Sequence, residues 1–433
     1  MSVLNLGVAR EVITPEIGCQ LYGYSPDVFS KSVEDDLTAT AFYFKQGETE
    51  ALMVSLTLCS VRTEFCNELI AEVEKRFGIS KKNCIINATH THSGPNITGD
   101  TGWGDVDRKY YDEIFVPAIF TVIEKAIANL QPVTMSWSRG KSDVGINRRE
   151  LSKVGNHVNL GQNPWGPYNP YMTILTFNGE DGRCVANIVH YGCHGTSAGR
   201  NNEITRDWSG HMIDALEAVS GGITAFFNGP EGDVGPRLSN GKTTGDISYV
   251  HELGKVAAAD VLRINIEKND CDATLDVYSA DVNIPLKPLM DLDEAKTVYE
   301  RVKDQTINAM GMVRSQLEDI FKMYENGDKG DECVTFSQTL VKLGDFVFAS
   351  FPYELYSEIG MRIDTFFENE TILSLSNTNG SEGYFCTEDS LCRGGYETTM
   401  FKYGRAQQYV ENADFEMIKE TVKNIKALLK EEN

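Results

Sequence analysis

Seven histidines in 433 residues are few, and four of them fall in two tight pairs. His90 and His92 stand two apart in Ala88-Thr89-His90-Thr91-His92-Ser93-Gly94-Pro95. In a strand, side chains two apart point to the same face, so both rings could look into one site. His190 and His194 stand four apart in Val189-His190-Tyr191-Gly192-Cys193-His194-Gly195-Thr196-Ser197. On a helix that spacing pairs histidines on a metal, but Gly192 and Gly195 argue against a helix, so one of the pair is expected to be a ligand. Catalytic zinc takes about three protein ligands and keeps one position open for water. A lone buried histidine is more often a satisfied core residue than a ligand. Two clusters, each at a strand end and each followed by small residues, point to a metal site.

Other strand exits carry polar groups. Asn228-Gly229-Pro230-Glu231-Gly232-Asp233-Val234-Gly235-Pro236-Arg237 follows an apolar stretch and sets an aspartate between glycines. Backbone N–H groups and a carboxylate there could meet a ligand, although an ordinary tight turn has the same composition. Phe351-Pro352-Tyr353-Glu354 puts a carboxylate at another strand end, and Gly383-Tyr384 and Gly394-Gly395-Tyr396-Glu397 follow the last core strand. Spacing alone does not single out Glu354 or Tyr384 as ligands.

The elements that must position these groups alternate. Strands are expected at 38–44, 51–58, 84–86, 134–138, 171–177, 185–191, 222–227, 335–340, 346–350 and 372–375, from period-two patterns and short apolar runs. Helices are expected at 63–76, stopped by Gly78, and at 110–130, closed by Gln131-Pro132. Further helices are expected at 208–219, 249–267 and 414–429. Residues 293–326 read as a long charged helix or a helical hairpin, an excursion from the body of the fold. No internal repeat or Pro/Ser-rich linker divides the chain. The expected fold is α/β: a mixed β-sheet core, or two sheets packed together, flanked by helices, in one domain over 1–433 with a helical excursion at about 290–326.

Composition narrows the partners. Apolar residues make up 41% and charged residues 24%, enough for a sizeable core. A net charge of −23 repels nucleic acid and anionic membranes, so a small-molecule substrate is expected, with no nucleic-acid partner and no stable membrane association. The N-terminus lacks the basic start and apolar run of a signal peptide, and no stretch approaches the roughly 20 apolar residues that span a bilayer. The ten cysteines are scattered without a Cys-x-x-Cys pair, which reads as mostly reduced, buried thiols and a cytoplasmic address.

Several of these segments together resemble the catalytic domain of the neutral/alkaline non-lysosomal ceramidase family. Gly7-Val8-Ala9-Arg10-Glu11-Val12-Ile13-Thr14-Pro15, with Gly23-Tyr24 after it, looks like the family's opening, and Thr89-His90-Thr91-His92-Ser93-Gly94-Pro95 is its most specific motif. Asn147-Arg148, His194-Gly195-Thr196-Ser197, Gly232-Asp233-Val234, Pro352-Tyr353-Glu354 and Tyr384-Phe385-Cys386-Thr387 follow in the family's order. The resemblance implies one zinc ion per chain, held by His90, His194, Glu354 and Tyr384. It implies that His92 and Arg148 face the substrate and orient or polarise a carbonyl, with Asn147 and Gly235 beside them.

The chain departs from the family's pattern where the nucleophilic serine belongs, since that position is Gly235, and Pro95 is followed by Asn96 instead of glycine. The family's immunoglobulin-like C-terminal domain has no counterpart in the sequence. The reading is therefore a zinc-dependent hydrolase that uses water in place of serine, because zinc lowers the pKa of bound water from about 15.7 to about 7. His92 or Asp233 would move the proton and Arg148 would hold the substrate. The wider pocket left by Gly235 would admit a small soluble amide, lactone or ester, sugar-derived ones included. The alternatives are a ceramidase-like lipid amidase and a catalytically silent ligand-binding homologue.

Overall fold

A computed structural model describes residues 3–154 and 157–430; Met1, Ser2 and the last three residues of the expected 1–433 domain lie outside the described residues. Alternating patterns at the N-terminus and in the middle of the chain form one large sheet. Its strands are β1 (Asn5–Val12), β2 (Thr38–Gln46), β3 (Thr49–Leu56), β4 (Cys84–Ala88), β5 (Gln131–Lys141), β6 (Tyr171–Gly179), β7 (Cys184–Tyr191) and β8 (Ile223–Asn228). They lie in the order β8-β7-β6-β5-β1-β2-β3-β4, and the short β9 (Asn269–Cys271) also pairs with β5. Only the outermost pairs, β3–β4 and β7–β8, are parallel. Gln131 opens β5 opposite Leu6 and Pro132 pairs with Asn5, so Gln131-Pro132 begins a strand, with two residues between it and the end of the preceding helix at Ala128.

The period of two sorts side chains cleanly. Ala9, Ala41, Tyr43, Val54 and Ile86 face α1 (Thr63–Phe77) and α2 (Val116–Ala128), while Ile174, Val189 and Phe226 face α3 (Trp208–Ser220) and α4 (Ile247–Ile264). Gly7 lets α2 lie close, because a Cβ there would sit 1.8 Å from the Ala126 carbonyl oxygen. The excursion at 290–326 is a hairpin of α5 (Leu292–Val302) and α6 (Asn308–Asn326), closed over Ala295, Val313, Leu317 and Ile320.

The alternate residues of the large sheet, Val8, Phe42, Met53, Ile85, Leu175, Ile188 and Phe227, pack onto a second sheet. That sheet runs β10 (Leu275–Pro285), β11 (Cys333–Leu343), β12 (Phe346–Ser350), β13 (Thr371–Leu375), with β12–β13 parallel. Its outer face is covered by α7 (Ser357–Asp364), α8 (Tyr396–Tyr403) and α9 (Ala413–Leu429). The result is two packed sheets with helices outside both. Strand β10 escapes the sequence reading because its Asp, Ser and Asn residues mask the alternation, although it pairs with β11 along its whole length. No helix among the described residues is long and apolar enough to cross a membrane, and all ten cysteines are free thiols.

The large sheet curls until its two edges meet. The Asn87 side chain on β4 accepts from the Asn228 backbone N–H on β8 at 3.0 Å, and the Asn228 amide donates to the Thr89 carbonyl at 3.1 Å. Asn87 also donates to the Ser376 carbonyl (2.7 Å) and the Thr378 hydroxyl (2.9 Å) beyond β13. The exits of β4, β7, β8 and β13 are thereby drawn to one place.

His190 belongs to this packing and not to the site. Its Nε2–H donates to the Ser374 carbonyl at 2.8 Å, joining β7 to β13 between the sheets. Burial, with a smaller contribution from the Arg139 charge, lowers its pKa from 6.5 to about 4. Between those values the unfolded chain binds a proton that the folded chain refuses, so the contribution is complete above pH 6.5 and is lost as the pH falls toward 4. At about 1.4 kcal/mol per tenfold this amounts to about 3 kcal/mol. His190→Gln keeps a donor for Ser374 and cannot titrate. Urea midpoints at pH 7, 5.5 and 4.5 should fall less steeply for the variant than for the native chain; parallel slopes would contradict the assignment.

Candidate active site

Five strand exits supply the site. His90 follows β4, His194 follows β7, Glu231 follows β8, Glu354 follows β12 and Asn377 follows β13. His90 is not in a strand: its φ of +65° is left-handed, a conformation that costs free energy in a residue with a side chain. The turn nevertheless brings both rings of the pair inward. Glu354 and Tyr384 are partners across a short parallel ladder, 354–355 with 384–385, so their side chains are neighbours.

Every histidine in the centre has its outer nitrogen pinned by a backbone carbonyl. His90 Nδ1 donates to Cys59 O at 2.8 Å, His92 Nδ1 to Gly23 O at 3.1 Å, and His194 Nδ1 to Glu231 O at 2.8 Å. Their Nε2 atoms therefore present lone pairs inward. His90 Nε2 lies 3.1 Å from His92 Nε2 and 3.4 Å from Glu354 Oε2, and His194 Nε2 lies 3.1 Å from the same carboxylate oxygen. Acceptors this close repel unless a cation sits among them, either a proton or a metal ion. The ligand atoms of His90, His194 and Glu354 all lie within 4.8 Å of one another, as do those of Cys59, His90 and His92. Two imidazole nitrogens and a carboxylate oxygen form a donor set suited to zinc.

The ionisation pattern follows from burial and charge. Burial, then the nearby Arg148 charge, lowers His194 to about 3. His92 is held well below its ordinary value by burial and by the neighbouring imidazoles. Burial also opposes charge on His90, but Cys59 and Glu354 outweigh it and raise that ring. Glu354 stays ionised far below the usual carboxylate range, because His90 and His194 overcome the penalty of burial. Burial raises the Glu231 carboxyl to about 8.

Tyr384 closes one side. Its hydroxyl accepts from Arg148 Nη2 at 2.9 Å and hydrogen-bonds with Glu354. Arg148 thus stands behind Tyr384 instead of on the cavity wall, held by Glu397 through Nε at 2.9 Å. Glu397 also binds Arg149 Nη1 at 2.8 Å, so one fully buried carboxylate serves two guanidinium groups.

Three expected site residues are bracing instead. Asp233 accepts from the Ser357 backbone N–H (2.8 Å) and from Asn147 Nδ2 (3.1 Å), deep below the surface and out of reach of a substrate proton. Asn147 spends its amide on Asp233, the Pro167 carbonyl and the Arg149 N–H, leaving nothing for a substrate. Gly235 does not widen a pocket: a Cβ there would lie 2.7 Å from Thr243 Cβ, so Thr243 already fills the space. Sequence reasoning missed Cys59, Glu231, Asn377 and Glu397. The available signal for Asn377 was Asn377-Thr378-Asn379-Gly380, since asparagine tolerates the left-handed backbone that both asparagines adopt.

A cavity of about 270 Å³ opens onto this centre. His90, His92, Glu354 and Tyr384 lie along it, and its far wall carries Tyr22, Trp103, Asp100, Glu382 and Arg405. Met312 and Gln316 of α6 border it, so the helical hairpin is part of the wall. The buried Glu397 leads to a direct test. Glu397→Ala leaves two buried cations without their partner and is expected to cost about 3–5 kcal/mol, read from denaturant unfolding; a loss below about 1 kcal/mol would mean that water reaches the arginines.

The sequence model of the neutral/alkaline non-lysosomal ceramidase N-terminal region matches residues 4–252. Neutral ceramidase A of Dictyostelium discoideum is 27% identical over 257 residues, covering 52% of this chain and 35% of that protein. Neutral ceramidase of Mycobacterium tuberculosis is 26% identical over 267 residues, covering 54% of this chain and 41% of that protein. The matches therefore span less than half the length of these relatives. The crystal structure of neutral ceramidase from Pseudomonas aeruginosa superposes with a TM-score of 0.76 at 18% identity, over 100% of this chain and 76% of that one. A ceramidase complexed with C2 gives 0.77 at 18% identity, over 99% and 76%. The fold is shared with these structures, and the chain belongs to the neutral/alkaline non-lysosomal ceramidase family.

Proposed function

We propose that this chain is a metal-dependent hydrolase of a small soluble amide, or of the related ester or lactone, with one zinc ion held by His90, His194 and Glu354 beside Tyr384. The observation that carries this reading is the set of inward lone pairs, fixed by three backbone carbonyls, at the floor of a cavity. When bound, zinc would polarise a carbonyl and acidify a water near it. The chain's own groups supply the remaining steps. His92 Nε2, an acceptor because Nδ1 is committed to Gly23, takes the proton from the attacking water as the new C–O bond forms. It returns that proton to the leaving nitrogen or oxygen as the scissile bond breaks. The Tyr384 hydroxyl, polarised by Arg148, turns its one proton from Glu354 to the carbonyl oxygen as negative charge develops there.

Cavity size and lining favour a small polar substrate. Tyr22 and Trp103 present aromatic faces with ring centroids 6.2 Å apart, and Tyr22 OH holds Asp100 in place. Glu382 is held by the Thr63 hydroxyl, and Arg405 by Tyr409. Acceptors and donors pinned around an aromatic wall suit a hydroxylated group such as a sugar. The second reading, hydrolysis of ceramide itself, draws on the relatives' names, since a ceramide is an N-acyl amide.

Elemental analysis is expected to find about one zinc per chain, lost in His90→Ala and Glu354→Gln. His92→Ala should keep its zinc while kcat falls by about 10²–10⁴. With N-acetylated amino sugars, short-chain ceramide and palmitoyl ceramide as probes, kcat/KM should drop about a hundredfold from the smallest to the longest acyl group. Preference for the palmitoyl substrate would favour the second reading, and metal-free protein that takes up no zinc would overturn both.

A further inference from the structure

We propose that the substrate carries a carboxylate on the amine side of its scissile amide and that Arg405 recognises it, an inference that rests on the hydrolase reading above and narrows its substrate class. Arg405 lies on the far wall of the cavity with Tyr22 and Trp103. Its Nη1 donates to the Tyr409 hydroxyl at 2.6 Å, and its guanidinium carbon lies 4.8 Å from the centre of the same ring. Tyr409 is buried, and its oxygen lies 3.1 Å from that of the buried Tyr353. The guanidinium is thus anchored on two tyrosines, and neither neutralises it.

Among the described residues Arg405 has no ion-pair partner. Nε is buried without an acceptor, while Nη2 has no partner and is not closed off from solvent. That is unexpected in a chain with 63 acidic and 40 basic side chains. Other arginines around the site are paired, Arg62 with Glu64 at 2.8 Å and Arg148 with Glu397 at 2.9 Å. The two acids on the same wall are committed to neutral donors. Tyr22 OH donates to Asp100, and the Thr63 hydroxyl donates to Glu382 at 2.6 Å while accepting from the Ser381 N–H at 3.2 Å. Glu382 acts on Arg405 through space without pairing with it. A half-buried guanidinium without a counter-ion has lost hydration and gained no charge partner, a cost that an anionic ligand offsets. A carboxylate oxygen at Nη2 would accept a charge-assisted hydrogen bond, the strong kind. In the hydrolase reading the group recognised at the far wall is the amine portion of the amide, so the carboxylate belongs there. N-acyl amino acids and N-acylated sugar acids share that chemistry.

The test uses the full chain supplied with zinc and a matched series of acetamides. N-acetylglycine, N-acetylethanolamine and N-acetylethylenediamine end in a carboxylate, an alcohol and an ammonium group. N-acetylmuramic acid and N-acetylglucosamine form a second pair, with and without a carboxylate. The carboxylate member should have the highest kcat/KM, and Arg405→Gln should shrink its advantage over the neutral member about 10–100-fold, through KM. The set with the larger advantage separates amino-acid from sugar-acid substrates. Circular dichroism identifies a variant that has not folded, in which case Arg405→Met decides by the same ratio. Three results would each overturn the proposal: neutral members turned over as well as the acids, an advantage unchanged within about twofold in the folded variant, or preference for the ammonium member, which would assign the wall to Asp100 and Glu382.

Binding separates this inference from the reading beneath it. Isothermal titration calorimetry on chelator-treated protein keeps a carboxylate from binding through a metal ion. N-acetylglycine or N-acetylmuramic acid should bind the native chain about tenfold or more tightly than Arg405→Gln. Such binding without hydrolysis of any probe would sink the hydrolase reading and support the Arg405 site. Hydrolysis without a carboxylate preference would do the reverse, and neither binding nor hydrolysis would sink both.

Discussion

The site depends on two buried asparagines that join the opposite edges of the large sheet. An open sheet ends in strands whose outward N–H and C=O groups have no ladder partner, and burying them unsatisfied is costly. Here β4 and β8 face each other, and side-chain amides take the place of a ladder. Asn87 receives the Asn228 N–H, and Asn228 in turn receives the Cys193 N–H and gives its amide to Thr89. These bonds pass through the residues immediately before His90 and His194. The two parallel pairs lie at opposite ends of the strand order, so their carboxyl ends could meet only by curling the sheet and fastening it. Leucine in either position would strand several buried donors and acceptors at about 1–3 kcal/mol each.

Once the exits are fastened, the electrostatics of the centre follow. A carboxylate and three imidazoles share a small volume, and a guanidinium stands one residue behind them. Burying charge is expensive, and apolar residues of similar volume would stabilise the fold at least as well. The arrangement therefore reads as chemistry held in place at a cost in stability. Glu397 carries much of that cost, since its single carboxylate keeps both Arg148 and Arg149 paired below the surface. Arg148 can then bear on Tyr384, and through it on Glu354, without facing solvent.

What was legible in the sequence is what periodicity and composition encode locally. Alternation located strands β2, β3, β6, β7, β8, β12 and β13, and the stop at Gly78 located the end of α1, where that glycine is left-handed. The histidine segments were visible because the residue is scarce and clustered. The separation of His190 from His194 followed from the glycines between and after them, and their rings do lie in different environments. The missed pieces depend on long-range partners. Nothing near Asp233 in sequence shows that its carboxylate will meet Ser357 and Asn147, and nothing near Gly235 shows that Thr243 will occupy the space beside it. Glu231 lay inside a segment already marked for its chemistry, but its partner Asn377 is 146 residues away.

The filling of Gly235 by Thr243 bears on how a hydrolase could work in this frame. A side chain added at Gly235 would press on Thr243 Cβ and Cγ2, so the packing and the glycine are matched to each other. A nucleophile on that strand would also emerge beside Arg148 Cβ, and neither Gly235 nor Arg148 lines the cavity. The open approach to the carboxylate and imidazoles lies instead along His92, whose ring is set by Gly23 and flanked edge-on by Tyr24. A glycine carries no Cβ at position 23 either, and one there would collide with His92 Nδ1 at 2.3 Å. Glycine at 23 thus gives the proton-accepting imidazole its place, while glycine at 235 leaves its space to Thr243. For the proposed reaction, attack by water from the His92 side is the route that this pair of glycines leaves open.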